Sequence, residues 1–303
     1  MKDVLSDVLS SLHLRSAVYF KEKFCSPWGM DVAEGKFAQF HIVSRGQCIL
    51  YTDSIGTPTT LYQGDIILFP TGEAHQIKDL EEASCRPGGE IFQDIKDGIP
   101  PFSGENVTTS LICGHYELDL ELSHPLFKEL PSCVIIRGDT YKRSELIGNM
   151  IEMISMEIEE KKEGYELLTL KLAEVLLITL VRHYFQKEET EVNFVKDTLI
   201  YQSIGLMHAD LSVNWKIEQL AREVGISRTL FIERFKKAVG LPPNKYIHEW
   251  KMTKAKQLLR DTDQSLSEVG ASIGYHSEAS FNRAFKQEFQ LTPGKFRKTR
   301  IST

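Results

Sequence analysis

Two stretches of this chain repeat one plan. "GISRTLFIERFKKAVG", Gly225 to Gly240, reads as a tight turn followed by a helix with a polar, basic outer face. About fifty residues later comes "GYHSEASFNRAFKQEFQ", Gly274 to Gln290, with the same layout. The copies end alike, in "FKKAVGLPPNKYI" and "FKQEFQLTPGKFR". A chain with two such units needs two small helical cores and a bridge to hold them at a fixed offset.

The local chemistry of each copy is explicit. "WKIEQLAREVG" puts Ile217, Leu220, Ala221 and Val224 on one face of a short helix. Gly225 suits the left-handed position that ends it, and Ser227 suits the cap of the next. In that next helix Leu230, Phe231 and Phe235 are expected inward, with Arg228, Thr229, Ile232, Glu233 and Lys236 outward. In the second copy "LSEVGASIG" is the first helix, Gly274 the turn and Ser277 the cap. Phe281 and Phe285 are expected inward, and Glu278, Asn282, Arg283 and Lys286 outward. "YIHEWKMTKAKQLLRDT" reads as the connecting helix. Two helices joined by a glycine turn form a helix-turn-helix, whose second helix fits the major groove of DNA.

Charge agrees with that reading. Residues 197–303 hold 17 Lys+Arg against 11 Asp+Glu, a net of +6. Residues 1–196 hold 19 against 31, a net of −12, and together they give the −6 of the whole chain. A basic third joined to an acidic remainder points to a polyanion as partner of the C-terminal part alone.

The segment 198–300 resembles the DNA-binding region of the AraC/XylS transcription regulators. The residues that carry the likeness are "IEQLAREVGISRTLFIERFKK", "MTKAKQLLRDT", "IGYHSEASFNRAFKQEF" and "LTPGKFRK". The resemblance implies that two recognition helices enter successive major grooves on one face of double-stranded DNA. Its DNA-binding positions are then Arg228, Thr229, Ile232, Glu233, Lys236, Ser277, Glu278, Asn282, Arg283 and Lys286. Gln290 stands where the family usually has glycine.

The acidic part is built differently. Residues 15–137 are rich in short strand-like runs: "FAQFHIVSRGQCILYT", "GDIILFP" and "TTSLICGHYELDL". Residues 144–186 read as two helices broken at Gly164, and "QKEETEVNFVKD" as a charged connector. "GDIILFPTGEAH" has Gly64, Pro70, Gly72 and His75 at spacings of six, two and three, and resembles the second motif of the cupin β-barrels. "GKFAQFHIVSRG" resembles the first motif in reduced form, with His41 at its first histidine and Val43 where a second would stand. No ligand glutamate follows at the right distance. "CSPWG", "ICGHYELD" and "HPLFKELP" complete the likeness to the cupin-type sensor domain of one AraC/XylS subgroup.

The expectation for the whole is an α+β chain in three parts. Residues 1–138 form a cupin-like β-barrel sensor and residues 139–190 a helical linker and dimerisation pair. Residues 198–303 form an all-α DNA-binding domain, with helix-turn-helix units at about 215–240 and 265–290. The function implied is a sequence-specific DNA-binding transcription regulator, an activator that engages RNA polymerase as a homodimer. Its signal is either a small organic effector at His41 and His75 or a redox or metal signal. Cys25 and Cys113 are the redox candidates, and a divalent metal at His41 and His75 is the cofactor the barrel would hold. His115, on one strand face with Cys113, would lower the thiol pKa if cationic. The alternative is a cupin metalloenzyme, a dioxygenase or isomerase, with an appended DNA-binding domain. Two ligand positions where a catalytic cupin offers three histidines and a carboxylate weigh against it, and no catalytic residue is assigned. Five scattered cysteines, an N-terminus without a basic start and the lack of a long uncharged apolar run suggest a reduced, cytoplasmic protein with no membrane partner.

Overall fold

The computed structural model describes residues 3–10, 14–117, 130–139, 145–186, 194 and 196–299. "HPLFKELP" and the charged connector lie largely outside them. The described residues form two compact units. One contains 14–117, 130–139 and 145–181, and the other 3–10, 182–186, 194 and 196–299.

The first unit is a curled sheet with a pair of helices on its outer face and a shorter helix packed into its core. After helix α1 (Val4–Ser10) come strands β1 (Arg15–Cys25), β2 (Gly29–Val32), β3 (Ala38–Thr52), β4 (Thr59–Tyr62), β5 (Ile66–Phe69), β6 (His75–Lys78) and β7 (Arg86–Pro87). Helix α2 (Gly88–Lys96), β8 (Val107–Glu117), β9 (Val134–Ile136) and helices α3 (Glu145–Glu160) and α4 (Tyr165–Gln186) follow.

The long strand β3 makes the sheet curl. Its first half lies between β8 and β5, with His41 opposite Cys113 and Ile67. Its second half pairs with β4 and β6. The change falls where the register slips between Val43 and Arg45 and where Gly46 takes φ +78°. A Cβ at Gly46 would lie 2.0 Å from the Thr108 carbonyl oxygen, so only glycine fits the corner. Phe24, Trp28, Val43, Cys48, Leu50, Phe69, Leu111 and Cys113 belong to the core enclosed by the curl. On the outer face, Tyr116 stacks on Phe40 at 4.7 Å and donates its hydroxyl to the Ala173 carbonyl at 3.1 Å, which seats α4.

The second unit is all helical: α5 (Thr198–Ala209), α6 (Ile217–Glu223), α7 (Arg228–Val239), α8 (Pro243–Asp261), α9 (Leu266–Ser272), α10 (Glu278–Phe289) and α11 (Pro293–Thr299). Gly225 and Gly274 make the two turns with φ +73° and +87°. Ser227 accepts from the Leu230 amide and Ser277 from the Ser280 amide, as N-caps do. Phe231, Phe235, Phe281 and Phe285 are fully buried. Leu230 is not inward as its periodicity suggests: it is 42% exposed, because it precedes by one residue, about 100° of helix turn, the stripe that Phe231, Phe235, Ala238 and Val239 bury. Helix α1 packs on α5 in this unit rather than with the sheet that follows it in sequence, burying Val4, Leu5 and Val8. The Val4 amide donates to the Tyr201 hydroxyl at 3.1 Å.

Gln290 closes α10 in the left-handed region, with φ +54° and ψ +14°. A side chain there costs about 1 kcal/mol relative to glycine. Gln290→Gly is therefore expected to raise the unfolding free energy of the helical unit by about that amount. A denaturant midpoint that stays put or falls would contradict this.

Candidate functional site

The interior of the curl holds a buried chain of three polar side chains. Strand pairing sets His41 of β3 opposite Cys113 of β8, and the turn after β5 delivers His75 at the start of β6. His41 Nδ1 lies 3.0 Å from Cys113 Sγ, and His41 Nε2 lies 2.8 Å from His75 Nε2. His75 Nδ1 lies 2.8 Å from the Glu73 carbonyl oxygen.

One proton order satisfies the whole chain. A carbonyl only accepts, so His75 Nδ1 carries a hydrogen and, in the neutral ring, Nε2 is bare. His41 then donates from Nε2 and accepts at Nδ1 from the Cys113 thiol. Each group is uncharged. Burial drives the His41 pKa well below the usual histidine value, and the neighbouring His75 lowers it further. Burial likewise lowers His75 to about 4. Burial pushes the Cys113 thiol well above its usual value, with Cys48 adding to the shift. The Phe69 ring closes the site, stacked on His75 at 3.8 Å.

The sequence-derived candidates separate at this point. His41, His75 and Cys113 come together as one cluster. Cys25 does not join it. It faces Val107 on β8, six residues from Cys113, about 20 Å along a strand. His115 does not lower the Cys113 pKa, and burial moves that thiol the opposite way. His115 instead stacks on Phe37 at 4.7 Å, and among the described residues both its ring nitrogens lack hydrogen-bond partners. The metal reading fits poorly too. Among the described residues no group of three or more His, Cys, Asp or Glu could hold a metal ion. The two imidazole nitrogens are held together by a shared hydrogen, closer than the roughly 3.3 Å spacing of tetrahedral ligands at 2.0–2.1 Å bond lengths.

Cys48 is the residue that motif reading missed. Counted along β3 from His41 it has the wrong parity for the interior. The bulge between Val43 and Arg45 restores it, and Cys48 and Leu50 turn inward with burial raising the Cys48 thiol to about 12. An irregularity beside a glycine in a strand is the one available signal.

The helical unit presents the second set. Arg228, Thr229, Glu233 and Lys236 on α7 are exposed and Ile232 is half-buried. Ser277, Glu278, Arg283 and Lys286 at α10 are exposed and Asn282 is half-buried. Arg228 Nε meets Glu218 at 2.7 Å, a pair that a DNA contact would have to open. Asp197 caps α5 and accepts from Nε and Nη2 of Arg234, each at 2.9 Å, fixing α7 to α5.

A curled sheet enclosing a buried chain of polar side chains, followed by paired helix-turn-helix units, defines a cupin-type domain combined with a DNA-binding domain. The family model described as "Cupin" matches residues 3–186, and that described as "Helix-turn-helix domain" matches residues 220–299. A putative AraC-like transcription regulator of Streptomyces lividans is 27% identical over 300 residues, covering 98% of each chain. The HTH-type transcriptional regulator AlkR of Acinetobacter baylyi is 25% identical over 304 residues, covering 97% of this chain and 99% of its own. The AraC-type regulator structure from Chromobacterium violaceum covers 34% of this chain and 93% of its own, at 29% identity and TM-score 0.32. The chain belongs to the cupin family in the form that carries an AraC-type helix-turn-helix domain, and is an AraC-like DNA-binding transcription regulator.

Proposed function

We propose that the protein is a cytoplasmic activator which binds operator DNA as a homodimer and engages RNA polymerase, with a small organic effector read at the Cys113–His41–His75 chain. The observation that carries this reading is the uncharged, closed state of that chain. The nucleophile in thiol oxidation is the thiolate, and burial keeps Cys113 protonated. An effector that competes for the hydrogen bonds of His41 or His75 would instead break the chain at its weakest neutral links. A ligand shifts the regulator only if it prefers one of its states. Dimerisation is supported by exposed Leu146, Met153 and Met156 on α3 and Leu167, Leu168 and Val175 on α4. Two linked weak binders gain effective concentration on repeated sites. No catalytic role is assigned, and the relatives named above are regulators.

A second reading has its own support. Cys48 and Cys113 share the buried interior and interact electrostatically, so a small oxidant reaching them would act on two thiols. One experiment covers both readings: a promoter fusion induced in cells carrying His75→Ala, Cys48→Ser, Cys113→Ser or Cys25→Ser. The expected result is loss of induction with His75→Ala and retention with Cys25→Ser. Loss in both Cys48→Ser and Cys113→Ser under an oxidant would select the redox reading. Full induction in His75→Ala would reject the barrel site.

On α10 we assign base reading to Asn282 and Arg283 and phosphate contact to Lys286, with Lys236 its counterpart on α7. We likewise assign base contact to Thr229, Ile232 and Glu233, and DNA contact at the helix starts to Arg228, Ser277 and Glu278. Arginine matches guanine through two hydrogen bonds, worth about 1–3 kcal/mol of discrimination. Arg283→Ala is expected to relax preference at one operator position, and Lys286→Ala to weaken all sequences alike. Equal, sequence-independent weakening by both, measured on a panel of operator variants, would overturn the assignment.

A further inference from the structure

Three neighbouring strands set like charges side by side on the outer face of the curled sheet. Lys23 of β1 lies opposite Ser110 of β8, and Ser110 lies opposite Arg45 of β3. Paired residues on one sheet face have Cβ atoms about 5 Å apart, so two cations flank one serine in a row. Lys21 stands two residues along β1 and is neutralised by Glu159 of α3 at 2.6 Å. Glu159 also acts on Lys23 at longer range, but its hydrogen bond goes to Lys21, and among the described residues neither Lys23 nor Arg45 makes a close ion pair. Glu152 of α3 is the other carboxylate that faces them across the cleft.

Ser110 is the second observation. It is 3% exposed, and its Oγ has no hydrogen-bond partner among the described residues. Buried hydroxyls ordinarily have one. A cavity of about 800 Å³ opens over this row, with Lys21, Lys23, Arg45 and Ser110 on the sheet side and Gly148 and Ser155 on the helix side. A Cβ added at Gly148 would meet nothing within 4 Å, so α3 leaves room there. A second cavity of about 820 Å³ shares Lys21, Lys23 and Ser110, which places these groups where the two spaces meet.

We propose that Lys23, Arg45 and Ser110 form a binding site for the carboxylate or phosphate group of a small molecule, on the outer face of the sheet beneath α3. The two cations supply charge-assisted hydrogen bonds, and Ser110 gains the partner it lacks. Ser155 offers a hydroxyl from α3, so a bound anion joins sheet and helix. The site is separate from the histidine chain in the interior and does not depend on the function read there.

The test is calorimetric titration of the full-length protein at low ionic strength with inorganic phosphate and, separately, with hexanoate, against sodium chloride at matched ionic strength. Saturable one-to-one binding of phosphate assigns a phosphoryl ligand, and of hexanoate a carboxylate ligand. Either is expected to be weakened about tenfold by Ser110→Ala, which removes a hydrogen bond to a charged group. The Lys23→Gln/Arg45→Gln double variant is expected to lose it, and Lys36→Gln to keep it. If the double variant does not fold, Ser110→Ala decides alone, since removing a hydroxyl that has no partner leaves the free protein intact. Responses to both anions no larger than that to chloride, or unchanged affinity in Ser110→Ala, would overturn the site.

Discussion

Raising the salt from 50 to 200 mM is expected to weaken DNA binding by about a thousandfold or more. The expectation follows from the surface of the helical unit. Lys236 and Lys237 close α7, Lys286 lies in the last turn of α10, and Arg297 and Lys298 close α11. Arg228 stands on the outward face of α7. Cations at the ends and outer faces of helices that enter the groove are placed to meet phosphates, and each phosphate neutralised releases condensed counterions. Six such contacts give a log–log slope of about −5 and the stated loss. The acidic remainder of the chain does not cancel this, because counterion release depends on the phosphates touched and not on net charge. Fluorescence anisotropy on an operator fragment across a salt series measures the slope. A slope shallower than about −2 would mean that fewer than three phosphates are neutralised, too few for two recognition helices.

The helical unit was legible in the sequence to the level of single residues because its rules are local. A glycine at a positive φ, a serine cap and phenylalanines four residues apart each act within one or two turns. Leu230 misled because it borders the apolar stripe of its helix, one residue before Phe231, without lying on it. The barrel was legible in outline, and His41 and His75 were singled out by the resemblance of two segments to cupin motifs. Their partners were not. Cys113 joins His41 through strand pairing across more than seventy residues, which no local pattern encodes. Cys48 is hidden by a bulge that reverses the alternation of β3. The pairing of Cys25 with Cys113 as redox candidates came from their places in two motifs, and the register of β1 on β8 separates them. Helix α1 carried a short apolar stripe with no sign of which unit it would cover.

Phe285→Ala is expected to destabilise the helical unit by about 3–5 kcal/mol, most of the margin of a small domain. Phe285 is fully buried at the centre of the second core, among Met252, Ala255, Leu259, Val269, Ile273 and Phe281. Its ring contacts three others: Phe281 at 5.7 Å, Phe289 at 4.7 Å and Phe296 at 5.9 Å. These belong to α10 and α11, while Met252, Ala255 and Leu259 come from α8 and Val269 from α9. Truncation therefore loosens the recognition helix from its partner helix, from the bridge and from the C-terminal helix at once. The residue next to it in sequence, Lys286, points outward, so Lys286→Ala serves as a control with no core term. Because the chain forms two compact units, thermal unfolding should show two transitions, only one of them moved. For a unit of about a hundred residues the shift is roughly 15 °C. Sequence-specific DNA binding should be lost at temperatures where the sheet unit is still folded. A variant whose two transitions both stay within a few degrees of the parent would show that the second core does not depend on this ring.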